Sequence, residues 1–199
     1  MSAATFPILT FDEARLSPSL GYVFDPQWLD PYESVVSMLW KHAWMNRLAG
    51  HVVVGHIAKR PVDPYEGIAA TPAELDIRHI ARALGVPLKT VRTALQRPGW
   101  RRGSCPHLRF CPRCMSRGYH SVVHQFGCEP QCPIHGCWLD TECRGCGATS
   151  AYRIDARLLG APFRCAQCRL PYARTSTNFA RRPPLPKRAR TAITRTFLG

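Results

Sequence analysis

Acidic side chains are scarce in the second half of this sequence. Residues 97–199 carry four (Glu129, Asp140, Glu142 and Asp155) against eighteen basic ones, whereas residues 1–96 carry nine of each. The formal charge of +14 on 199 residues therefore belongs to the second half. Lysine is scarce too, at 4 of the 27 basic residues, and an arginine-dominated surface favours planar, bidentate contacts with phosphate or carboxylate. No apolar run approaches the roughly 18 residues that span a bilayer, so no membrane partner is expected. Residues 1–18 include Asp12 and Glu13 and lack the basic start and apolar stretch of a signal peptide, which points to a cytoplasmic protein. Catalytic signatures are missing as well. There is no H-E-x-x-H, no phosphate-binding G-x-x-x-x-G-K-[ST] loop, no deaminase H-x-E with P-C-x-x-C, and no nuclease-like cluster among the four acids. A non-enzymatic protein is expected.

What is present divides the chain. All ten cysteines fall between Cys105 and Cys168, which with the charge step predicts a helical domain over 1–100, a metal-binding domain over 101–175 and a basic Pro/Arg tail over 176–199. In the first part, Asp30-Pro31-Tyr32-Glu33 reads as a capping-box variant opening a helix that runs through Val35, Val36, Leu39, Trp40 and Ala43 towards a stop at Gly50. A shorter helix is predicted over His51–Lys59 and a loop over 61–70. Thr71-Pro72-Ala73-Glu74 repeats the capping logic before the apolar stripe Ile77, Ile80, Ala81 and Leu84. Gly85 breaks this helix, Val86-Pro87 turns, and Leu88–Gln96 makes the next one. The spacing over about 71–97 suits a helix-turn-helix, with Ala81 allowing a close crossing and Val91 anchoring the second helix. Its exposed face would present Lys89, Thr90, Arg92, Thr93 and Gln96 to a DNA groove or to phosphates, or simply to water in a plain helical packing module.

The second part contains two ligand quartets. Cys111-x2-Cys114 and Cys132-x2-His135 are separated by seventeen residues, and Cys143-x2-Cys146 and Cys165-x2-Cys168 by eighteen. A C-x2-C turn lets two sulfurs converge on one tetrahedral ion, so the spacing predicts two structural Zn²⁺ sites, one with three Cys and one His and one with four Cys. Without an export signal, thiolate ligation is favoured over disulfides. Consecutive and cross-braced pairings of the four pairs both fit the spacing. Cys105, Cys128 and Cys137 read as small buried hydrophobes, with the alternative that one of them replaces an assumed ligand. His120 and His124 would share one face of a helix over Arg117–Phe126. The tail, with Arg181-Arg182-Pro183-Pro184-Leu185-Pro186-Lys187-Arg188, is expected to be extended, either solvated or meeting phosphate or an acidic partner. The fold class that results is mainly α with small zinc-stabilised modules, a helix-turn-helix domain followed by two tandem zinc fingers or ribbons.

The run Phe110-Cys111-Pro112-Arg113-Cys114-Met115, then Arg117-Gly118-Tyr119-His120, His124-Gln125, Cys132-Pro133-Ile134-His135-Gly136, Leu139 and Cys143-Arg144-Gly145-Cys146-Gly147, resembles the TniQ family of transposon target-selection accessory proteins. Upstream, Glu33-Ser34-x-x-Ser37 looks like that family's N-terminal E-S-x-x-S helix, with Met38 where a Trp is common. The likeness covers roughly residues 30–170, and the little chain after Cys168 matches the family's short form. The resemblance implies an adaptor in DNA transposition that links a target-recognition complex, often RNA-guided, to an AAA+ ATPase that recruits transposase, in a bacterial cytoplasm and on the nucleoid when assembled. Arg101, Arg102, Arg109, Arg113 and Arg117 are then the expected contacts to the ATPase and to the backbone of DNA or guide RNA. Two other readings follow from the residues themselves. One is a stand-alone DNA-binding regulator using Lys89–Gln96. The other is an RNA-binding zinc module with Tyr119 or Trp138 stacked on unpaired bases.

Overall fold

The computed structural model describes residues 21–95, 103–173 and 183–198. Seven short helices and one two-stranded sheet occur among these residues. Helix α1 (Val35–Met45) is capped by Ser34, whose side chain accepts from the Ser37 amide. It starts later than the Asp30 signal implied. The turn over 30–33 is stapled instead by the Glu33 carboxylate, which accepts from the Asp30 amide at 3.0 Å, and Tyr32 adopts a positive φ of 56°. The helix also stops before Gly50, which turns out to open α2 (Gly50–Ile57). A Cβ at Gly50 would lie 2.1 Å from the Ala156 carbonyl oxygen, so glycine there lets α2 pack directly on a later helix.

The Thr71–Glu74 signal forms a turn rather than a helix start. Its Glu74 carboxylate accepts from the Ala69 amide at 2.7 Å, and α3 (Ile77–Ala83) is capped by Asp76, which accepts from Arg78 and His79. Gly85 (φ +60°) makes the break, and α4 (Leu88–Thr93) follows, with Val91 fully buried between the two. Within the segment read as a loop, β1 (Ile68–Ala69) pairs antiparallel with β2 (Arg153–Ile154). Helix α5 (Pro112–Ser116) carries the first C-x2-C pair, and α6 (Ala156–Leu159) lies against α2.

One hydrophobic core runs through both halves of the sequence. Val36, Leu39, Trp40 and Val54 pack with Leu108, Phe110, Leu158, Phe163 and Tyr172. Trp40 is central: its ring lies 4.8 Å from Phe163, and its Nε1 donates to the Leu158 carbonyl at 2.7 Å. A second core gathers Tyr119, Val122, Val123 and Phe126 under Leu185, Ala189 and Ile193.

Those last residues correct the expectation for the tail. Residues Lys187–Leu198 form helix α7. The prolines all lie before it, and Leu185, Ala189, Ile193 and Phe197 recur every four residues as a single apolar stripe that docks on the second core. Residues 117–126 also differ from expectation, as a 3-10 turn over Val122–Gln125 capped by Ser121 takes the place of a helix. Among the described residues no helix is long and apolar enough to cross a membrane.

Candidate metal centres

The first centre is built by two knuckles. Cys111 caps α5, Pro112 fixes its first turn, and Cys114 sits inside it. Opposite, Cys132 and His135 lie on a tight turn closed by the Gly136 amide to the Cys132 carbonyl at 2.8 Å, with Gly136 at φ +63°. The Cys111 and Cys114 sulfurs approach His135 Nδ1 to 3.4 and 3.3 Å, and Cys132 Sγ lies 3.7 Å from Cys114 Sγ. The second centre repeats the plan with four sulfurs: Cys143 lies 3.6 Å from Cys168, and Cys146 3.8 Å from Cys165. A tetrahedral ion with metal–sulfur bonds of about 2.3 Å needs sulfur–sulfur edges of about 3.8 Å. Both clusters meet this requirement, with all four ligand atoms of each within 4.8 Å of one another. The quartets are consecutive in sequence; the cross-braced alternative is not what the fold builds.

The local electrostatics fit a cation. Burial pushes the Cys114 thiol up, hydrogen bonding from Cys111 and Cys114 pulls Cys132 far down, and the Cys111 and Cys132 sulfurs raise His135 to about 9. In the second centre, burial opposes ionisation of Cys143, but the Gly145 and Cys146 amides and the neighbouring sulfurs bring it down to about 7. Groups that compete this closely for protons are groups a divalent ion can hold together. Of the remaining cysteines, Cys128 is exposed, and Cys105 and Cys137 are half-buried. None is the buried hydrophobe expected. Cys137 Sγ reaches 3.3 Å from Cys111 Sγ, at the edge of the first centre.

A buried polar seam joins the first centre to α1, and its convergence was not foreseen from the sequence. Glu33 is fully buried, paired with Lys41 at 2.5 Å and accepting from Ser37 Oγ at 2.6 Å. Burial raises its pKa, and Lys41 opposes that rise. Ser34 Oγ lies 2.6 Å from His120 Nδ1, while His120 Nε2 donates to the Arg109 carbonyl at 2.8 Å, so Ser34 donates to a neutral ring. Burial, then His124, lowers His120 to about 3. Gln125 also donates to the Arg109 carbonyl at 3.1 Å, and Tyr119 donates to the Pro31 carbonyl at 2.8 Å. The only sequence signal was motif membership, since the pairs that join the two segments, Ser34 with His120 and Pro31 with Tyr119, lie 86 and 88 residues apart.

The candidate contact residues scatter. Lys89, Thr90 and Thr93 line an open cleft facing α7, whereas Arg92 is exposed outside it. Arg109 is only 8% exposed, and its guanidinium donates to the Phe126 and Glu129 carbonyls, clamping a loop rather than facing solvent. Arg117 pairs with Asp30 at 3.3 Å and donates to the Pro183 carbonyl. Arg113 is exposed beside the first centre. Gln96, Arg101 and Arg102 lie outside the described residues. Tyr119 is buried, which removes it as a stacking platform; Trp138, 67% exposed, keeps that capacity. No protein-family model and no curated protein matches the chain. The resemblance to the TniQ family therefore rests on the sequence motifs alone.

Proposed function

We propose that this protein is a non-enzymatic adaptor in DNA transposition, joining a target-recognition complex to the AAA+ ATPase that recruits transposase. The observation that carries the reading is the polar seam. Glu33, Ser34 and Ser37 from one TniQ-like motif meet His120 and Gln125 from the other, although the two are far apart in the chain. A likeness confined to two metal knuckles would give no reason for the upstream motif to arrive at the same place. Zinc is the ion best suited to three-sulfur-one-imidazole and four-sulfur tetrahedra, and a closed shell of four protein ligands supports a structural role for it. Arg113 and the cations of α4 and α7 are the exposed groups available to a nucleic-acid backbone or a partner. A helix-turn-helix at α3–α4 belongs to this reading as a packing and contact module.

One observation favours a second reading, an RNA-binding zinc module. Trp138 stands exposed at an open cleft of about 640 Å³ that Arg113 and His135 also line, and an aromatic face beside a cation suits an unpaired base.

The test is co-assembly with the candidate ATPase on DNA in the presence of nucleotide, followed by sedimentation. The adaptor is expected in the pellet only when the ATPase filament is present. Failure of every filament to retain it sinks the adaptor reading. Retention by structured RNA alone, with the ATPase omitted, favours the second reading instead.

A further inference from the structure

Helix α7 has two faces. Ala189, Ile193 and Phe197 pack inward, while Lys187, Arg190, Thr191, Thr194 and Arg195 line one wall of an open cleft of about 760 Å³. The other wall is α4, which supplies Lys89, Thr90 and Thr93. Two carboxylates also border the cleft, and both are already engaged. Asp30 pairs with Arg117 at 3.3 Å and accepts from the Leu185 amide at 2.8 Å, and Glu33 is buried against Lys41 at 2.5 Å. The four cations, Lys89, Lys187, Arg190 and Arg195, are exposed and have no acidic partner within 4 Å among the described residues.

Like charges facing each other across a cleft repel, and no internal counter-ion offsets them here. A basic helix that merely keeps a protein in solution has no need of a facing wall that adds a further cation, Lys89, and two threonine hydroxyls. We propose that the cleft between α4 and α7 is a seat for the phosphodiester backbone of a nucleic-acid strand. The polar groups of α7 recur turn by turn, at a rise of about 5.4 Å, which matches a linear polyanion better than the scattered carboxylates of an acidic protein face. Threonine hydroxyls on both walls add donors for phosphate oxygens. The aromatic lining the cleft, Tyr32, is already stacked on Phe197 with ring centroids 4.4 Å apart. The seat therefore offers charge and hydroxyls rather than a free platform for bases, and binding there is independent of base sequence. The proposal deepens the nucleic-acid contact that the adaptor reading gives to α4 and α7, but binding at this seat needs no ATPase, so its failure and that of the adaptor reading are distinguishable.

The experiment measures binding of the metal-loaded full chain to labelled oligothymidine, oligouridine and a duplex of equal charge, each across a salt series. Replacing Lys89, Arg190 or Arg195 singly by Ala is expected to reduce the slope of log K against log salt by about 1, whatever the base sequence. The triple replacement compounds the loss, whereas Arg157→Ala, on α6 and outside the cleft, leaves the slope unchanged. Replacing Arg190 and Arg195 by Lys keeps the charge and should keep the slope, which separates lost contacts from misfolding. Whichever oligonucleotide shows the steepest cleft-dependent slope identifies the strand type. The proposal is overturned if none of the three binds, if the triple variant binds with the parental slope, or if polyglutamate of matched charge competes as well as the oligonucleotide.

Discussion

His42 lies in the core of α1 with 4% of its surface exposed, its ring 5.3 Å from Tyr22 and 6.4 Å from Phe24. Neither ring nitrogen has a hydrogen-bond partner among the described residues. Burial, with the nearby His56 and His79 adding to it, lowers its pKa to about 4 from the ordinary 6.5. Between those two values the unfolded chain binds the proton and the folded chain does not, so stability rises with pH across that window. The contribution is complete above pH 6.5 and is lost as the pH falls towards 4, amounting to about 3 kcal/mol at most. Replacing His42 by Leu should flatten this part of the profile, read as the difference in melting temperature between pH 7 and pH 4.5. Protonation of the metal ligands acts on parent and variant alike, so only His42 moves the difference. An unchanged profile would show that the ring is not held neutral. At this scale the sequence was informative where partners are close neighbours. Cys111 and Cys114, or Cys143 and Cys146, declare themselves by a spacing of three. His120 does not, because its partner Ser34 is 86 residues away, and a histidine four residues from another reads first as a helix face.

At the scale of elements, α1 to α4 were readable from apolar periodicity, while their ends, and the existence of α5, α6 and α7, were not. Capping residues are abundant around Asp30 and Thr71, and several positions could serve. The fold chose Ser34 and Asp76 because long-range contacts fix the neighbouring backbone: the Ser34 amide donates to the His120 carbonyl at 2.8 Å, and the Asp76 amide to the Ile57 carbonyl at 2.8 Å. Helix α7 was hidden for another reason. The prolines just before it and its own arginines dominate the composition of the tail, while Leu185 and the helix's Ala189, Ile193 and Phe197 pack against Val122, Val123 and Phe126, which lie in a different part of the chain. Gly50 shows the same limit in one atom. Read alone it is a helix stop, but here it lets α2 lie on α6. Gly50→Ala places a Cβ where the Ala156 carbonyl oxygen and the Gly160 amide already are, at 2.1 and 2.9 Å. Backbone atoms on both sides cannot step aside as a side-chain tip would. The substitution should destabilise the protein by about 1–3 kcal/mol or more, as overpacking does, even though alanine is the better helix former. Chemical denaturation measures it. Gly55→Ala, on the same helix with open space around its Cβ, should be neutral or stabilising, and equal effects at both positions would contradict the packing argument.

For the whole molecule, the question is whether metal supports only the cysteine-rich half. The charge step near residue 97 and the clustering of cysteines suggest two units, but Cys143 and Cys165 belong to the same core as Val36, Leu39 and Val54. Phe163, two residues before Cys165, is packed on Trp40, and the Leu158 carbonyl that receives the Trp40 indole lies on α6, against α2. Disassembly of the second four-cysteine centre therefore unpins one wall of the helical core. Structural zinc contributes roughly 10–16 kcal/mol of apparent binding free energy in small modules, which rivals the roughly 5–15 kcal/mol total stability of an ordinary domain. Losing such a term is enough to unfold both halves. Metal analysis of the purified chain should give two zinc equivalents, and Cys165→Ser should lose one. Titration with a strong chelator should then abolish helical circular dichroism and the buried-tryptophan emission of Trp40 in step with metal release. If the chelator strips both ions while the helical signal and the Trp40 emission persist, the helices of the first half stand on their own core, and the coupling through Trp40 and Phe163 is too weak to join them to the metal centres.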